Sequence, residues 1–276
     1  DDRGRLWVVE AMSYPVRAPD GEGKDRVLIF EDSDGDGTLD QRKVFMEGLN
    51  LVSGIEVGFG GVWLGAAPYL LFIPIDSTTD RAAGDPQVVL DGWGYQDTHE
   101  TLNSLRWGPD GWLYGTQGVF THSKVGKPGA SDEERVEINA GVWRYHPQKE
   151  VFEVFAEGGS NPWGLDFDDY GQAFMVGCVI PHLFHVVQGA HYHRQDGEHF
   201  NPFVFDDRSA PLETEVTSLE IERAEVSRSE AGQTVGTFAT IDRQAPKGTA
   251  TSGAEWRLAR MITRAMGEVF MGCLFV

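Results

Sequence analysis

The sequence lacks two features that would indicate a membrane-spanning or haem-carrying chain. No apolar run among the 276 residues approaches the roughly 18 residues of a membrane-spanning helix. No C-x-x-C-H motif for covalent haem attachment occurs; the two cysteines, Cys178 and Cys273, could pair but do not form a disulfide framework. No signal peptide opens the chain, and a predicted strand at 5–10 follows residue 1 directly. We therefore expect the numbered chain to begin inside a longer protein.

Basic residues are scarce. The chain has 23 Lys and Arg against 43 Asp and Glu, which gives a formal net charge of −20. Such a balance argues against binding nucleic acid or an anionic membrane through a basic face. It suits solubility, cation binding or a basic partner, and a solvated acidic surface is the simplest interpretation.

Helical periodicity is also scarce, because no stretch before residue 208 repeats its apolar residues every 3.6 positions or so. Instead, 34 glycines, 13 prolines and 11% aromatic residues are typical of short strands joined by tight turns. A strand–turn–glycine–aromatic pattern recurs at intervals of about 50–60 residues, around Gly4, Gly61, Gly111 and Gly171. The sequence therefore predicts an all-β fold, a partial β-propeller with about four blades in residues 1–207.

Residues 208–276 differ from the rest of the chain. They contain no histidine and only four aromatic residues, and they are dense in Glu, Arg, Ser, Thr and Ala. We expect an atypical tail that is either poorly ordered or aberrant in sequence, as a frameshift would make it. In either case it should be more sensitive to protease than residues 1–207.

The acidic motif D-x-D-x-D-G-x-x-D occupies residues 32–40. Alternate carboxylates and a main-chain carbonyl can converge on one hard cation, with Gly37 permitting the turn. The predicted calcium ligands are Asp32, Asp34, Asp36, Thr38 and Asp40. Lys43 stands where an EF-hand has its bidentate glutamate, so we expect a calcium loop within a β-hairpin. An acidic turn without metal is the alternative.

Three polar residues stand at or near the predicted starts of inner strands. His99 and Asn103 precede and open the strand before the Gly-Pro-Asp-Gly turn, and Asn161 opens the Asn-Pro-Trp-Gly segment with Trp163. If the blades are equivalent, these loops open at one end near the axis, where the residues would form a small-molecule site. The alternatives are that His99 is a turn residue bonded to a nearby carbonyl and that Asn161 caps a turn.

A histidine-rich segment follows the fourth predicted hairpin. We expect it to form a wall of the same site, through His182, His185, His191 and His193. His191 and His193 are two apart and would share one face of a strand, so they could bind a metal. Hydrogen-bonding or wall roles are favoured, because the spacing supplies no third ligand.

Four stretches carry a family resemblance, namely 93–123, 139–147, 160–167 and 179–186. Together with the acidic loop they closely resemble the membrane-bound dehydrogenase proteins of the planctomycete–verrucomicrobial type. That family is distantly similar to the soluble PQQ-dependent glucose and sorbosone dehydrogenases. The resemblance covers about residues 1–207 and implies a propeller that a haem c module often follows in longer chains.

The resemblance assigns roles to particular residues. In the quinoproteins a histidine before a G-P-D-G hairpin is the base for the substrate hydroxyl, and His99 matches it. Their Arg-Asn-Pro-x-Gly motif contacts cofactor and substrate; Asn161, Pro162 and Gly164 match, but Ser160 replaces the arginine. The basic residues that hold the quinone come from later blades and have no identifiable counterparts here.

Two functions follow from these expectations. The first is a PQQ- and calcium-dependent dehydrogenase that oxidises a sugar or alcohol hydroxyl. Its catalytic residues would be His99 and Asn161, and its cofactor contacts would come from Asn103, Trp163, His182, His185, His191 and His193. Electrons would pass to a haem c domain or partner absent from this chain, in the periplasm or outside the cell, with membrane association through the longer protein. The alternative is a non-catalytic, calcium-stabilised propeller that binds a glycan or a partner protein.

Overall fold

The computed structural model describes residues 1–178, 183–194, 197 and 200. Within them nearly all regular structure is β-strand, apart from the 3₁₀ helix Asp132–Glu134, so the predicted all-β class is confirmed. Of the helices in this part of the chain, none has the length and apolarity to cross a membrane. The predictions for residues 208–276, for His182 and for a bond to Cys273 fall outside the described residues.

Four sheets form the four blades of a β-propeller, as predicted. The first blade consists of β1 (Leu6–Glu10), β2 (Asp25–Glu31) and β3 (Gln41–Leu49). The second blade consists of β4 (Val52–Gly58), β5 (Gly61–Ala66), β6 (Tyr69–Asp76), β7 (Arg81–Ala82) and β8 (Gln87–Asp91).

The third and fourth blades follow in the same manner. The third begins with β9 (Asn103–Trp107) and β10 (Leu113–Gln117), continues through a ribbon of β11 (Ser123–Val125) and β12 (Val136–Ile138), and ends with β13 (Gly141–His146) and β14 (Val151–Gly158). The fourth consists of β15 (Pro162–Phe167), β16 (Ala173–Gly177) and β17 (Leu183–Val186). The chain then returns to the third blade, where β18 (His191–Tyr192) pairs in parallel with β14.

The predicted turn recurs in three blades. Gly4, Gly111 and Gly171 have φ of 75°, 79° and 78°. Each donates its N–H to the carbonyl three residues earlier, at 3.0, 3.1 and 3.0 Å. The prediction for Gly61 is wrong, because it is the first residue of β5. The turn of that blade is Phe59–Gly60, two residues with φ of 51° and 78°, the backbone that a two-residue hairpin turn needs to match the strand twist.

Hydrophobic clusters fill the three junctions between successive blades. The first contains Val27, Phe45, Val62 and Ile73. The second contains Trp63, Leu102, Leu105 and Trp143. The third contains Tyr114, Phe155, Leu165 and Met175. Because an inner blade is covered on both faces, β5 and β10 are buried along their whole length instead of alternating between buried and exposed positions.

The two ends of the propeller carry different connections. Strands β4, β9 and β15 pack against one another in succession and are the innermost strands of their blades. The loops before β9 and β15 lie at the end that we call the loop end, together with 11–24 after β1. The tight glycine turns lie at the opposite end, which we call the turn end. The acidic loop 32–40 joins β2 to β3 and is at the turn end.

Candidate functional site

His99 lies at the loop end, in the segment between β8 and β9. Its Nδ1 is 2.9 Å from Oδ1 of Asp97, which also accepts the main-chain N–H of His99 at 3.0 Å. The His99 side chain is 47% exposed. A carboxylate beside Nδ1 favours the tautomer with the proton on that nitrogen, so Nε2 is the proton acceptor. This is the geometry of an oriented general base.

Asp97 and Tyr14 complete the surroundings of the imidazole, and neither was among the predicted site residues. The Tyr14 ring meets the His99 ring edge to face, with 5.4 Å between centroids. Burial, followed by the nearby charges of Asp97 and Glu100, raises the pKa of the Tyr14 phenol. The segment D-T-H carries a signal for Asp97, because an aspartate often accepts the N–H two residues on. Tyr14 belongs to another blade, so no local pattern indicates it.

Trp163 ties the fourth blade to the His99 segment. Its Nε1–H lies 3.1 Å from the carbonyl oxygen of His99 and 3.2 Å from Oε1 of Glu100. The structure therefore brings Trp163 and His99 together, as blade equivalence predicts. The alternative for His99, a ring bonded to a neighbouring carbonyl, is not what the structure shows, since the ring faces a carboxylate.

Glu100 is a buried acid next to the base. It is 3% exposed, and burial raises its pKa to about 9. The hydrogen bond from Trp163 opposes this rise, and the charge of Asp97 adds to it. Glu100 is therefore neutral at pH 7. Its Oε2 has no hydrogen-bond partner in the described part of the chain.

Asn161 occupies a strained position at the start of the fourth blade. Its φ is 45°, in the left-handed region that asparagine tolerates better than most residues. Its main-chain oxygen accepts the N–H of Cys178 at 2.8 Å. The amide Oδ1 is buried without a hydrogen-bond partner among the described residues. A strained residue with an orphaned amide oxygen is a feature of ligand-binding sites.

Asn103 lies inside the wall of the site. It is fully buried, and its Nδ2 donates to the carbonyl of Thr101 at 2.9 Å. Its Oδ1 accepts from the hydroxyls of Ser104 and Thr116, both at 2.6 Å. The structure therefore engages the Asn103 amide within the protein, where it supports β9 and β10, and does not direct it to a ligand.

Two described histidines of the rich segment lie away from His99. His185 lies on β17 opposite Phe174, toward the turn end, with Nε2 2.9 Å from Oε1 of Gln172. His191 lies on β18, the edge strand of the third blade, and four strand spacings, roughly 19 Å, separate β18 from β9. His193 follows β18 and stays a prediction; its neighbour Arg194 donates to the carbonyl of Val119.

PQQ carries several carboxylates, so a site for this quinone needs cationic side chains. Ser160, at the position of the quinoprotein arginine, is 1% exposed and brings no charge. Arg194 donates to Oδ1 of Asn139 at 2.9 Å and to the carbonyl of Val119 at 3.3 Å. Arg17 donates to Asp20 at 2.7 Å. The described residues thus fit the substrate side of such a site but do not by themselves fit the quinone.

The acidic loop gathers three carboxylates at the turn end. Asp32, Asp34 and Asp36 each contribute one carboxylate oxygen, and these three oxygens lie within 4.8 Å of one another. Asp32 accepts the N–H groups of Gly35 and Gly37 at 2.7 and 2.8 Å, and the bond from Gly37 is the main cause of its lowered pKa.

The other two predicted calcium ligands lie in the same loop. Both Asp40 oxygens accept from Ser33, at 2.9 and 2.7 Å, and thereby close the loop. Thr38 donates its N–H to Asp36 at 2.7 Å.

A cavity of about 250 Å³ opens at the turn end, between the third and fourth blades. Its lining includes Asp110, Tyr114, Phe155 and Phe167. The Tyr114 hydroxyl donates to Asp110 at 2.9 Å, so these two polar groups of the lining are paired with each other. The loop end, with a base and unpaired buried oxygens, is the stronger candidate.

Solved structures show a distant likeness. The PQQ-bound aldose sugar dehydrogenase from Streptomyces coelicolor is 17% identical, with a TM-score of 0.41, over 70% of this chain and 68% of that chain. The PQQ domain of pyranose dehydrogenase from Coprinopsis cinerea is 12% identical, with a TM-score of 0.42, over 71% of this chain and 50% of that chain. A protein described as a gluconolactonase is 15% identical, with a TM-score of 0.39, over 71% and 70%. At these values the likeness concerns the fold alone.

No curated protein matches the sequence. Residues 1–275 match the family described as a domain of unknown function, DUF7133, and the chain belongs to that family.

Proposed function

We propose that the loop end binds a sugar or small alcohol and that His99 removes the proton of the hydroxyl being oxidised. The observation that carries this proposal is the pair of His99 and Asp97, since a 2.9 Å contact to Nδ1 orients Nε2 as a base on a half-exposed ring. Asn161 would accept a hydrogen bond from the substrate through its orphaned Oδ1. Trp163 and Tyr14 would form apolar walls.

Oxidation also needs an acceptor for two electrons and a proton. The resemblance to quinoproteins and to membrane-bound dehydrogenases of the planctomycete–verrucomicrobial type makes PQQ the proposed cofactor, with a haem c domain or partner as the next acceptor. We place the protein in the periplasm or outside the cell, with membrane association through a longer chain. No step is assigned to the quinone, because the described residues do not complete its site.

The test is dye-linked oxidation of a panel of aldoses and alcohols with added PQQ and Ca²⁺. His99→Gln should lower kcat/KM by a factor on the order of 10²–10⁴, the range for loss of a general base. Asp97→Asn should also lower it, since an amide lacks the charge of the carboxylate and can hold the imidazole in the other tautomer. His185→Gln, a histidine at the turn end, is the matched control and should leave the rate unchanged. Equal rates for His99→Gln and wild type would contradict the proposal.

The second candidate is a non-catalytic propeller that binds a glycan or a partner protein. The uncharged Ser160 and the engaged Arg194 favour it, because they leave the quinone without an obvious cation. Tyr95 and Phe120, each 43% exposed, offer aromatic surface of the kind that sugars stack on. Binding of an oligosaccharide that His99→Gln and Tyr14→Ala weaken, without turnover in any assay, would support this candidate.

We also propose that the acidic loop binds Ca²⁺ through Asp32, Asp34 and Asp36, with the Thr38 carbonyl and Asp40 as further ligands. The convergence of three carboxylate oxygens within 4.8 Å supports the proposal, because such charges repel one another without a cation. The role would be structural, since the loop lies at the end opposite His99.

A further inference from the structure

Glu100 is a buried acid for which the proposed reaction has no use. Its carbonyl accepts the N–H of Gly118 at 3.0 Å, and its own N–H donates to the carbonyl of Asp97 at 3.2 Å. A methyl group at Gly118 would collide with the Glu100 side chain, so the carboxyl is packed directly against that backbone. Its Oε1 accepts the indole N–H of Trp163 at 3.2 Å. The side chain is therefore enclosed between β10 and the first strand of the next blade.

We propose that Glu100 is a positioning residue, which holds the His99 main chain against Trp163 of the neighbouring blade. One indole N–H is shared between the Glu100 carboxyl and the His99 carbonyl, at 3.2 and 3.1 Å. Two consecutive residues of the third blade are thus fixed to a single donor of the fourth. The inference rests on the proposed function only in the role that it gives to His99.

The hydrogen bond between Glu100 and the Trp163 indole depends on the protonation state of Glu100. Among the described residues, the titratable groups that interact with Glu100 are Asp97 from its own segment and Tyr14 from the loop after β1; Trp163, from the fourth blade, is uncharged. Since Oε1 accepts the indole bond, the proton sits on Oε2. Ionisation would place a charge at a site that is 3% exposed, next to the Asp97 carboxylate. Hydration of that charge requires the junction to open, which would release Trp163 and the His99 segment.

The experiment follows the indole ¹H–¹⁵N signal of Trp163, assigned by its loss in Trp163→Phe. In the wild-type protein the signal should titrate with a midpoint near pH 9. Glu100→Gln keeps the size and the acceptor oxygen but cannot ionise, so its signal should keep its position and lose the titration. Glu153→Gln, a substitution on the outer strand β14, is the control and should titrate like wild type.

Activity supplies a second readout that a merely structural role would not move. In the wild type, kcat should fall as pH rises through about 9, where Glu100 ionises. Glu100→Gln should keep kcat at pH 7 within about twofold of wild type and abolish that fall, whereas Glu100→Ala should lower kcat at least tenfold. A Trp163 signal that does not titrate in the wild type, or that titrates equally in Glu100→Gln, would overturn the inference. If no turnover is found, the indole titration still decides it, so its failure is distinguishable from failure of the proposed function.

Discussion

The two ends of the propeller treat a buried carboxyl group in opposite ways. At the loop end, Glu100 is 3% exposed, no cation of the described residues lowers its pKa, and burial raises that pKa to about 9. At the turn end, Asp80 is 8% exposed, and burial alone would raise its pKa too. Bonds from Lys43, Arg5 and Arg3 instead lower it to about 2.

The ion pairs of Asp80 explain the difference. Arg3 and Arg5 approach its Oδ1 at 2.8 and 2.7 Å, and Lys43 approaches Oδ2 at 3.0 Å. These partners come from two segments of the first blade, the N-terminal residues and β3, and they bind that blade to the second, which carries Asp80. The turn end therefore uses its buried charge for stability. At the loop end, the buried Oδ1 of Asn161 has no hydrogen-bond partner among the described residues, and a ligand can contribute the missing partner there.

The largest effect on stability should come from removing the paired charge. Asp80→Ala removes the carboxylate that Arg3, Arg5 and Lys43 share and leaves the Arg5 guanidinium, 5% exposed, with only Asp1 as a carboxylate partner. The change should lower the free energy of unfolding by about 3 kcal/mol. Urea unfolding at pH 7 measures this. Glu150→Gln is the control, because its partner Lys127 is 56% exposed and such pairs contribute roughly 0–1 kcal/mol. A similar small loss in both variants would show that the network at Asp80 does not stabilise the turn end.

Glu100→Gln should remove part of the pH dependence of the free energy of unfolding. Between about pH 4.5 and about pH 9 the folded protein keeps the Glu100 proton and the unfolded chain loses it. Stability therefore falls as pH rises through that window, by at most about 1.4 kcal/mol per pH unit. From pH 6 to pH 8 the wild type should lose about 2–3 kcal/mol relative to Glu100→Gln. The free energy of unfolding of both proteins is measured with urea at several pH values. If it changes with pH in parallel in wild type and Glu100→Gln, Glu100 is already ionised in the folded protein at pH 6.

Calcium should have the smallest of these effects. At ten times its Kd, Ca²⁺ should stabilise the fold by about 1.4 kcal/mol, because it binds only the native state. In a thermal melt this corresponds to a rise in Tm of a few degrees, and Asp34→Ala with Asp36→Ala should abolish it. Glu133→Gln with Glu137→Gln removes the same charge elsewhere and should keep it. A calcium response that survives in the first double variant would place the cation at another site.

The blade pattern was predictable because it is local. A glycine with positive φ is needed at the end of the four-residue turn, where its N–H bonds the carbonyl three residues earlier, and the sequence displays it at Gly4, Gly111 and Gly171. The same logic failed at Gly61, since the two-residue turn at Phe59–Gly60 shifts the pattern by one position. Convergence of His99 and Trp163 followed from treating the blades as equivalent.

The rest of the site depends on contacts between distant segments. Burial of Glu100 depends on Gly118 and Trp163, which pack on it from other strands, so nothing in D-T-H-E marks the glutamate as neutral. The positions of His185 and His191 could not be predicted for a similar reason. The direction of β17 takes His185 toward the turn end, and the parallel pairing of β18 takes His191 to the edge of a different blade.

The most direct test of the account compares the two ends in one measurement. Diethyl pyrocarbonate modifies exposed imidazoles, and peptide mass spectrometry can follow the modification of His99 and His185 separately. The rates are measured in the presence of PQQ and Ca²⁺, with and without each member of the aldose and alcohol panel. If the loop end is the binding site, at least one compound should slow modification of His99 tenfold or more and leave His185 unchanged. Protection of His185 alone, or equal protection of both, would place binding elsewhere and contradict the account.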